Sequence, residues 1–192
     1  MTVLGRYRDW GPVYWNRRLY RLAMGLLRPA GRDAVWRHVA AQIGGASVLD
    51  LCCGPAELRR WIGESSYRGI DMNPAFAGAD VLLGDVLALD WPHADVLVMC
   101  DSLYHFLPDV GPLLRRMTQS ARKKVVISEP IENIAASRWP WMRALARWAT
   151  RVDGKTFPRR FSAEELQKVL QSYGFQEFAR IGANLVAVWS RP

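Results

Sequence analysis

The segment Val48-Leu49-Asp50-Leu51-Cys52-Cys53-Gly54-Pro55-Ala56-Glu57 constrains this chain more than any other, taken with Gly69-Ile70-Asp71-Met72-Asn73-Pro74 just downstream. An apolar run stops at a turn of small residues and gives way to helix formers from Glu57 to Ile62. That order predicts a strand, a loop and a helix, with a loop backbone open to close approach by a ligand. A second apolar run ends in an acid about twenty positions after the first. In a nucleoside-binding βαβ unit this is the place of the carboxylate that accepts from ribose hydroxyls. Asp71 stands there.

The acid at the loop, Asp50, narrows the ligand. A pyrophosphate would be repelled by it, and the Gly-x-Gly-x-x-Gly cradle for phosphates is missing, so a dinucleotide fits poorly. A cofactor carrying an ammonium and a sulfonium gains from nearby carboxylates and carbonyls, and S-adenosylmethionine is such a cofactor. On these residues the chain resembles the class I S-adenosylmethionine-dependent methyltransferases, whose first motif reads acidic-x-Gly-x-Gly-x-Gly. Cys52 stands at the first glycine and Ala56 at the third, with Gly54 kept between them. Both replacements are small and are expected to fit a tight turn in which φ stays negative.

Further segments extend the resemblance from about Val48 to Trp189. Ala79 to Val86 reads as a strand ending in Asp85, and Asp95 to Phe106 as a buried strand running into a helix start. Lys124 to Pro130 is another apolar strand, and Phe161-Ser162-Ala163-Glu164-Glu165-Leu166 opens a closing helix. The resemblance implies an α/β, Rossmann-like seven-stranded sheet, mostly parallel with the last strand antiparallel and helices on both faces. It implies that S-adenosylmethionine lies across the carboxyl ends of the first strands. Its binding residues would be Asp50, Cys52, Cys53 and Gly54, then Asp71 with Met72 at the ribose, Asp85 with the amide of Val86 at adenine, and Asp101 with Ser102 at the methionine end.

One hundred and ninety-two residues, half of them hydrophobic, suit one well-buried domain. Within it we distinguish N-terminal lid helices over 1–45, a cofactor-binding core over 46–130, a lid insertion over 131–160, and a closing helix and strand pair over 161–192. No apolar run is long enough to span a bilayer and the Arg-rich start lacks a secretory core, so a cytoplasmic enzyme is expected, with peripheral attachment to a membrane as a further option. Three cysteines and three scattered histidines imply neither a disulfide framework nor a metal. Cys53 and Cys100 read as core residues.

The net charge of +8 is unevenly placed. Residues 1–40 carry eight Arg against Asp9 and Asp33, net +6, and residues 131–160 carry seven Lys or Arg against Glu132 and Asp153, net +5; the rest sum to −3. In the resembled family these two basic segments form the lid over the acceptor. From Trp15, the residues Leu19, Leu22 and Leu26 recur at helical spacing, while Arg17, Arg18, Arg21 and Arg28 fall elsewhere, which predicts an amphipathic helix. Arg143, Arg147 and Arg151 make a similar stripe beside Trp141 and Trp148. An apolar stripe packed on the domain with a solvated Arg stripe, a basic lid for an anionic acceptor, and a surface lying on an anionic membrane all remain open.

Nucleic acid is the rival partner for a chain of pI 9.9. Enzymes that methylate base amines usually carry a polar-Pro-Pro-aromatic motif after the fourth strand. Here the sequence is Asp101-Ser102-Leu103-Tyr104, which argues against nucleic acid. The segment Tyr7 to Tyr14 is similar to the opening of quinone-biosynthesis and related small-molecule methyltransferases, and implies that Tyr14, Trp15, Trp141 and Arg143 belong to the substrate lid. The favoured function is methyl transfer to a small hydrophobic or anionic metabolite. The alternatives are an RNA methyltransferase, or a catalytically silent cofactor-binding homologue acting as a membrane-docking or regulatory module. If the acceptor must lose a proton, His105 is the first candidate for the base and Tyr104 the second, although His105 could equally cap or pack its helix.

Overall fold

The computed structural model describes residues 11–27, 31–131, 151, 152, 155, 157 and 159–192, the side chains of 24–27 excepted. Two helices precede the sheet, α1 (Arg17–Leu27) and α2 (Arg32–Ile43). The strands are β1 (Val48–Leu51), β2 (Tyr67–Asp71), β3 (Val81–Leu83), β4 (Val96–Cys100), β5 (Lys124–Pro130), β6 (Glu177–Ile181) and β7 (Asn184–Ser190). They form one sheet in the order β3-β2-β1-β4-β5-β7-β6. Every pairing from β3 to β5 is parallel, and β7 runs antiparallel to both β5 and β6, as expected.

Strand periodicity divides the core into two layers, because successive side chains point to opposite faces. Leu49, Leu51, Leu97, Met99, Val125 and Ile127 meet α3 (Gly111–Ser120) and α4 (Ala163–Ser172) through Leu113, Leu114, Met117, Leu166 and Leu170. On the other face Val48, Val96, Val98, Val126 and Val188 meet Val35, Val39 and Ile43 of α2. Burial on both faces explains why β1 reads as an unbroken buried run rather than an alternating one. Helix α4 starts at a capping box: Ser162 Oγ accepts from the Glu165 amide, and the Glu165 carboxylate accepts from the Ser162 amide.

The helix expected over Glu57 to Ile62 is instead a single 3-10 turn, Glu57–Arg60. Left-handed backbone at Ala56 and again at Gly63 leaves no room for a second turn. The crossover after β2 is equally short, Pro74–Phe76. Strand β3 also stops at Leu83, two residues before Asp85.

Candidate cofactor and acceptor site

Loops at the carboxyl ends of β1, β2 and β4 converge on one edge of the sheet. In the first, Cys52, Gly54 and Ala56 have φ of +57°, +56° and +59°. The expectation of negative φ at Cys52 and Ala56 is therefore wrong. The loop keeps the left-handed geometry of a glycine turn although two of its residues carry Cβ atoms, at about 1–2 kcal/mol of strain each. Hydrogen bonds hold it there: the Cys53 amide donates to Ile70 O at 3.1 Å, and the Gly54 amide to Asp71 Oδ2 at 2.7 Å. The Cys53 thiol turns toward β2, where a Cβ on Gly69 would lie 2.4 Å from its Sγ. That contact accounts for glycine at position 69, and it directs Cys53 away from the loop mouth. Cys53 and Cys100 are half-buried rather than core residues.

Asp71 holds the loop at its other end, with Oδ1 accepting from the Asn73 amide at 2.8 Å. Burial pushes its carboxyl up to about 6, against the pull of the Asn73 and Gly54 amides. Asp50 is not brought to the mouth. Its position in β1 turns it to the α2 face, where Tyr67 Oη donates to it at 2.8 Å and burial pushes its carboxyl up to about 7. Met72 is 38% exposed beside Asp71. Asp85 is exposed, its Oδ1 accepting from the Leu87 amide at 2.8 Å, while the Val86 side chain is buried and its carbonyl accepts from the Trp91 indole.

The turn after β4 is bound from below. Asp101, with φ +56°, accepts from Asn184 Nδ2 at 2.8 Å, and the same amide group donates to Ser128 Oγ at 3.0 Å. Ser102 Oγ donates to Cys100 O at 3.0 Å. The amides of Ser102 and Leu103 both donate to Glu129 Oε1, at 2.6 and 2.5 Å. Glu129 is fully buried with Oε2 unpartnered, and burial together with Asp101 pushes its carboxyl up to about 8. Sequence alone does not single out Glu129, whose one signal is an acid inside an otherwise apolar strand, nor Tyr67, Asn73 or Asn184.

Tyr104 and His105 are the middle residues of the 3-10 turn Leu103–Phe106 on this floor. Their rings lie 4.0 Å apart, His105 lies 4.4 Å from Phe157, and the Arg160 guanidinium sits 3.5 Å over the Tyr104 ring. Burial first, and then Arg160, push the imidazole down to about 3, so it is neutral and weakly basic. The Tyr104 hydroxyl is pushed up, by burial first and then by Tyr14.

Tyr14 reaches the site through Asn73, whose Nδ2 donates to Tyr14 O at 2.8 Å. Tyr20, overlooked in the sequence, lies over the loop; a Cβ on Gly54 would be 3.9 Å from its ring. Helix α1 is inverted relative to a packed apolar stripe. Arg17 donates to Phe76 O at 2.6 Å and Arg21 pairs with Glu57 at 2.5 Å, so these arginines face the domain. Trp15, Leu19 and Leu22 face outward, 53%, 40% and 62% exposed. Trp141 and Arg143, with Trp139, Arg147 and Trp148, lie outside the described residues.

These groups fit S-adenosylmethionine. Besides burial, Asp71 first and then Asp50, Asp85 and Glu129 raise the Cys52 thiol; Asp50 acts from the α2 face, and the other three flank the loop that would meet a cationic cofactor. Among the described residues no group of His, Cys, Asp and Glu is arranged to hold a metal. A separate cleft of about 540 Å³ lies by Trp91, Arg116 and Arg191 at the opposite edge of the sheet. Two of its three arginines donate to carbonyls, Arg116 at Val86 and Leu89 and Arg191 at Gln119 and Ala121.

A methyltransferase-domain family model matches residues 14–177. No curated protein matches the chain by sequence. Among solved structures, the pyocyanin biosynthetic protein PhzM aligns with 91% of this chain at 21% identity and a TM-score of 0.61, and the chain spans 58% of PhzM. Magnesium protoporphyrin IX methyltransferase ChlM from Synechocystis PCC 6803, solved with bound S-adenosylhomocysteine, aligns with 98% at 15% identity and a TM-score of 0.61, over 94% of its own length. The 16S rRNA methyltransferase RmtF, solved in complex with S-adenosylhomocysteine, aligns with 88% at 15% identity and a TM-score of 0.57, over 65% of its length. At these identities the likeness is one of fold. The family match covers most of the chain, the sheet order and the acidic loop agree with it, and the chain accordingly belongs to the methyltransferase-domain family as an S-adenosylmethionine-dependent enzyme.

Proposed function

We propose that the acceptor is a small hydrophobic or anionic metabolite rather than RNA. The observation that carries this reading is the wall of rings after β4, Tyr104, His105 and Phe157, within 4.0 to 6.4 Å of one another. Such a wall suits a compact, flat acceptor. S-adenosylmethionine, when bound, supplies a methyl carbon on a sulfonium, which leaves as a neutral thioether. In this reading Asp71 and the Cys52–Ala56 loop hold the nucleoside, Asp85 with the Val86 amide holds the adenine, and Asp101 with Ser102 holds the methionine end. Tyr14 and the ring wall exclude water and set the acceptor's approach. His105, kept neutral, orients the acceptor by accepting a hydrogen bond; a group protonated only near pH 3 is a poor base at neutral pH. The test is incubation of the protein and labelled S-adenosylmethionine with total RNA and, separately, with a metabolite extract. Label is expected in the small-molecule fraction, and label in RNA alone would overturn the reading.

A second reading concerns location and rests on the outward face of α1. Trp15, Leu19 and Leu22 present an apolar strip beside the exposed Arg18, on a protein of net charge +8. No described helix is long and apolar enough to cross a membrane. Aromatic, leucine and arginine side chains together suit the interface of an anionic bilayer. We expect the protein to sediment with phosphatidylglycerol vesicles and not with phosphatidylcholine vesicles, and Leu22→Asp to abolish sedimentation. Self-association through this face in place of vesicle binding would refute it.

A further inference from the structure

We propose that Arg160, with Tyr104, His105 and Phe157, forms an acceptor subsite for a flat aromatic acid, the guanidinium pairing with the acid's carboxylate. The proposal rests on the reading of the site as a small-molecule methyltransferase centre and names the acceptor's chemistry.

Arg160 lies where the chain enters α4, yet its guanidinium is turned back to the turn after β4, with Cζ 3.5 Å over the Tyr104 ring. Its Nη1 donates to the carbonyls of Phe157 and Arg159. Those bonds fix the side chain's direction; the one buried carboxyl that feels its charge is Glu129, which burial holds up at about 8 and therefore largely neutral at pH 7. Among the described residues no carboxylate forms an ion pair with it; the ion pairs present are Arg21–Glu57, Arg60–Glu57, Lys123–Asp95 and Arg159–Glu165. The nearby acids are otherwise committed. Glu129 binds the Ser102 and Leu103 amides, and Asp101 binds Asn184. An ordered, partly buried guanidinium without a counter-ion is an unfavourable arrangement for stability alone, and an arriving anion offsets it. The planar fork matches a carboxylate through two parallel hydrogen bonds.

The rings supply the rest of the recognition. His105 and Phe157 stand at 79° and Tyr104 and Phe157 at 70°, so they form two walls of a corner rather than a closed stack. A planar ring entering that corner has a face for one wall and an edge for the other. The neutral state of His105 matters here, because a second cation would lose this aromatic contact.

The test uses the full chain with S-adenosylhomocysteine and a pair of near-isosteric probes, 2-naphthoate and 2-naphthamide, followed by ligand-observed NMR and calorimetry. The acid is expected to bind at least about tenfold tighter than the amide, since a charge-assisted pair contributes about 1.4 kcal/mol or more. Arg160→Met should remove that preference while leaving S-adenosylhomocysteine affinity within about twofold, and Arg160→Lys, which keeps the charge and loses the fork, should retain part of it. Equal binding of the two probes, no binding of either at about 1 mM, or a preference that survives Arg160→Met would each overturn the subsite. The parental protein's preference reads the proposal even where a variant fails to fold. Failure of S-adenosylhomocysteine to bind the parental protein is a different result, and it would strike the reading of the site itself.

Discussion

Around β4, β5 and β7 the ten-residue helices α3 and α4 lay Leu113, Leu114, Met117, Leu166 and Leu170 against the sheet, each no more than 2% exposed. Around β1, β2 and β3 the crossovers are single turns, and Leu82, Leu83 and Leu87 stand 41 to 55% exposed. This half buries Leu49, Leu51, Leu58, Ile70 and Phe76, and its loops are held by polar ties: Asp71 to Gly54 and Asn73, Tyr67 to Asp50, and Asn73 to Tyr14. The difference separates two tasks. One half is covered by long helices, and the other presents carboxylates and open backbone to a ligand on short crossovers, a division consistent with ligand loops being drawn from the less stable parts of a fold.

The largest expected effect tests that division directly. Leu114→Ala should lower unfolding free energy by about 2–5 kcal/mol in urea melts, whereas Leu82→Ala should change it by about 0.5 kcal/mol or less. Comparable losses at both positions would break the comparison. Next comes Asp71→Ala, which removes the acceptor of two backbone amides. We expect S-adenosylmethionine affinity to fall at least about tenfold with a much smaller loss of stability than Leu114→Ala. The smallest effect is a gain: Ala56→Gly should stabilise the protein by about 0.5–1 kcal/mol, as relief of left-handed strain outweighs the added chain entropy. A loss on this substitution would contradict the φ of +59° at that position.

The strand pattern is legible in the sequence because runs such as Val96–Cys100 are buried on both faces, and the seven-stranded, mostly parallel sheet with its antiparallel end followed from the family resemblance. The short crossovers were less so. Glu57 to Ile62 has helix-forming composition, and nothing local says that Ala56 and Gly63 adopt left-handed backbone on either side of it. The acids at strand ends were found by position, but their differing roles were not. Asp50 and Asp71 look alike in sequence, and strand phase alone turns one to Tyr67 and leaves the other on the loop. The lid helix is legible in the sequence and its facing is not, since periodicity identifies stripes and not which stripe meets the domain. Arg17 and Arg21 find the Phe76 carbonyl and the Glu57 carboxylate only in the folded chain. Glu129, Asn184 and Arg160 come from distant segments, and their gathering around the turn after β4 has no local signature.

The central claim is that a cationic cofactor binds where these carboxyls converge, and its pH dependence is the most direct test. Burial holds the Asp71 carboxyl up at about 6, so folding favours its protonated form and its contribution to stability declines as pH rises from the ordinary carboxylate range toward 6. Ribose hydroxyls donating to this carboxylate, with the cofactor's positive charge bound nearby, favour the ionised form instead. Calorimetric titration with S-adenosylmethionine should therefore show affinity rising between about pH 5 and about pH 7.5, with proton release seen as a buffer-dependent heat. Binding of equal strength at both pH values without proton release, or no binding at either, would contradict the account.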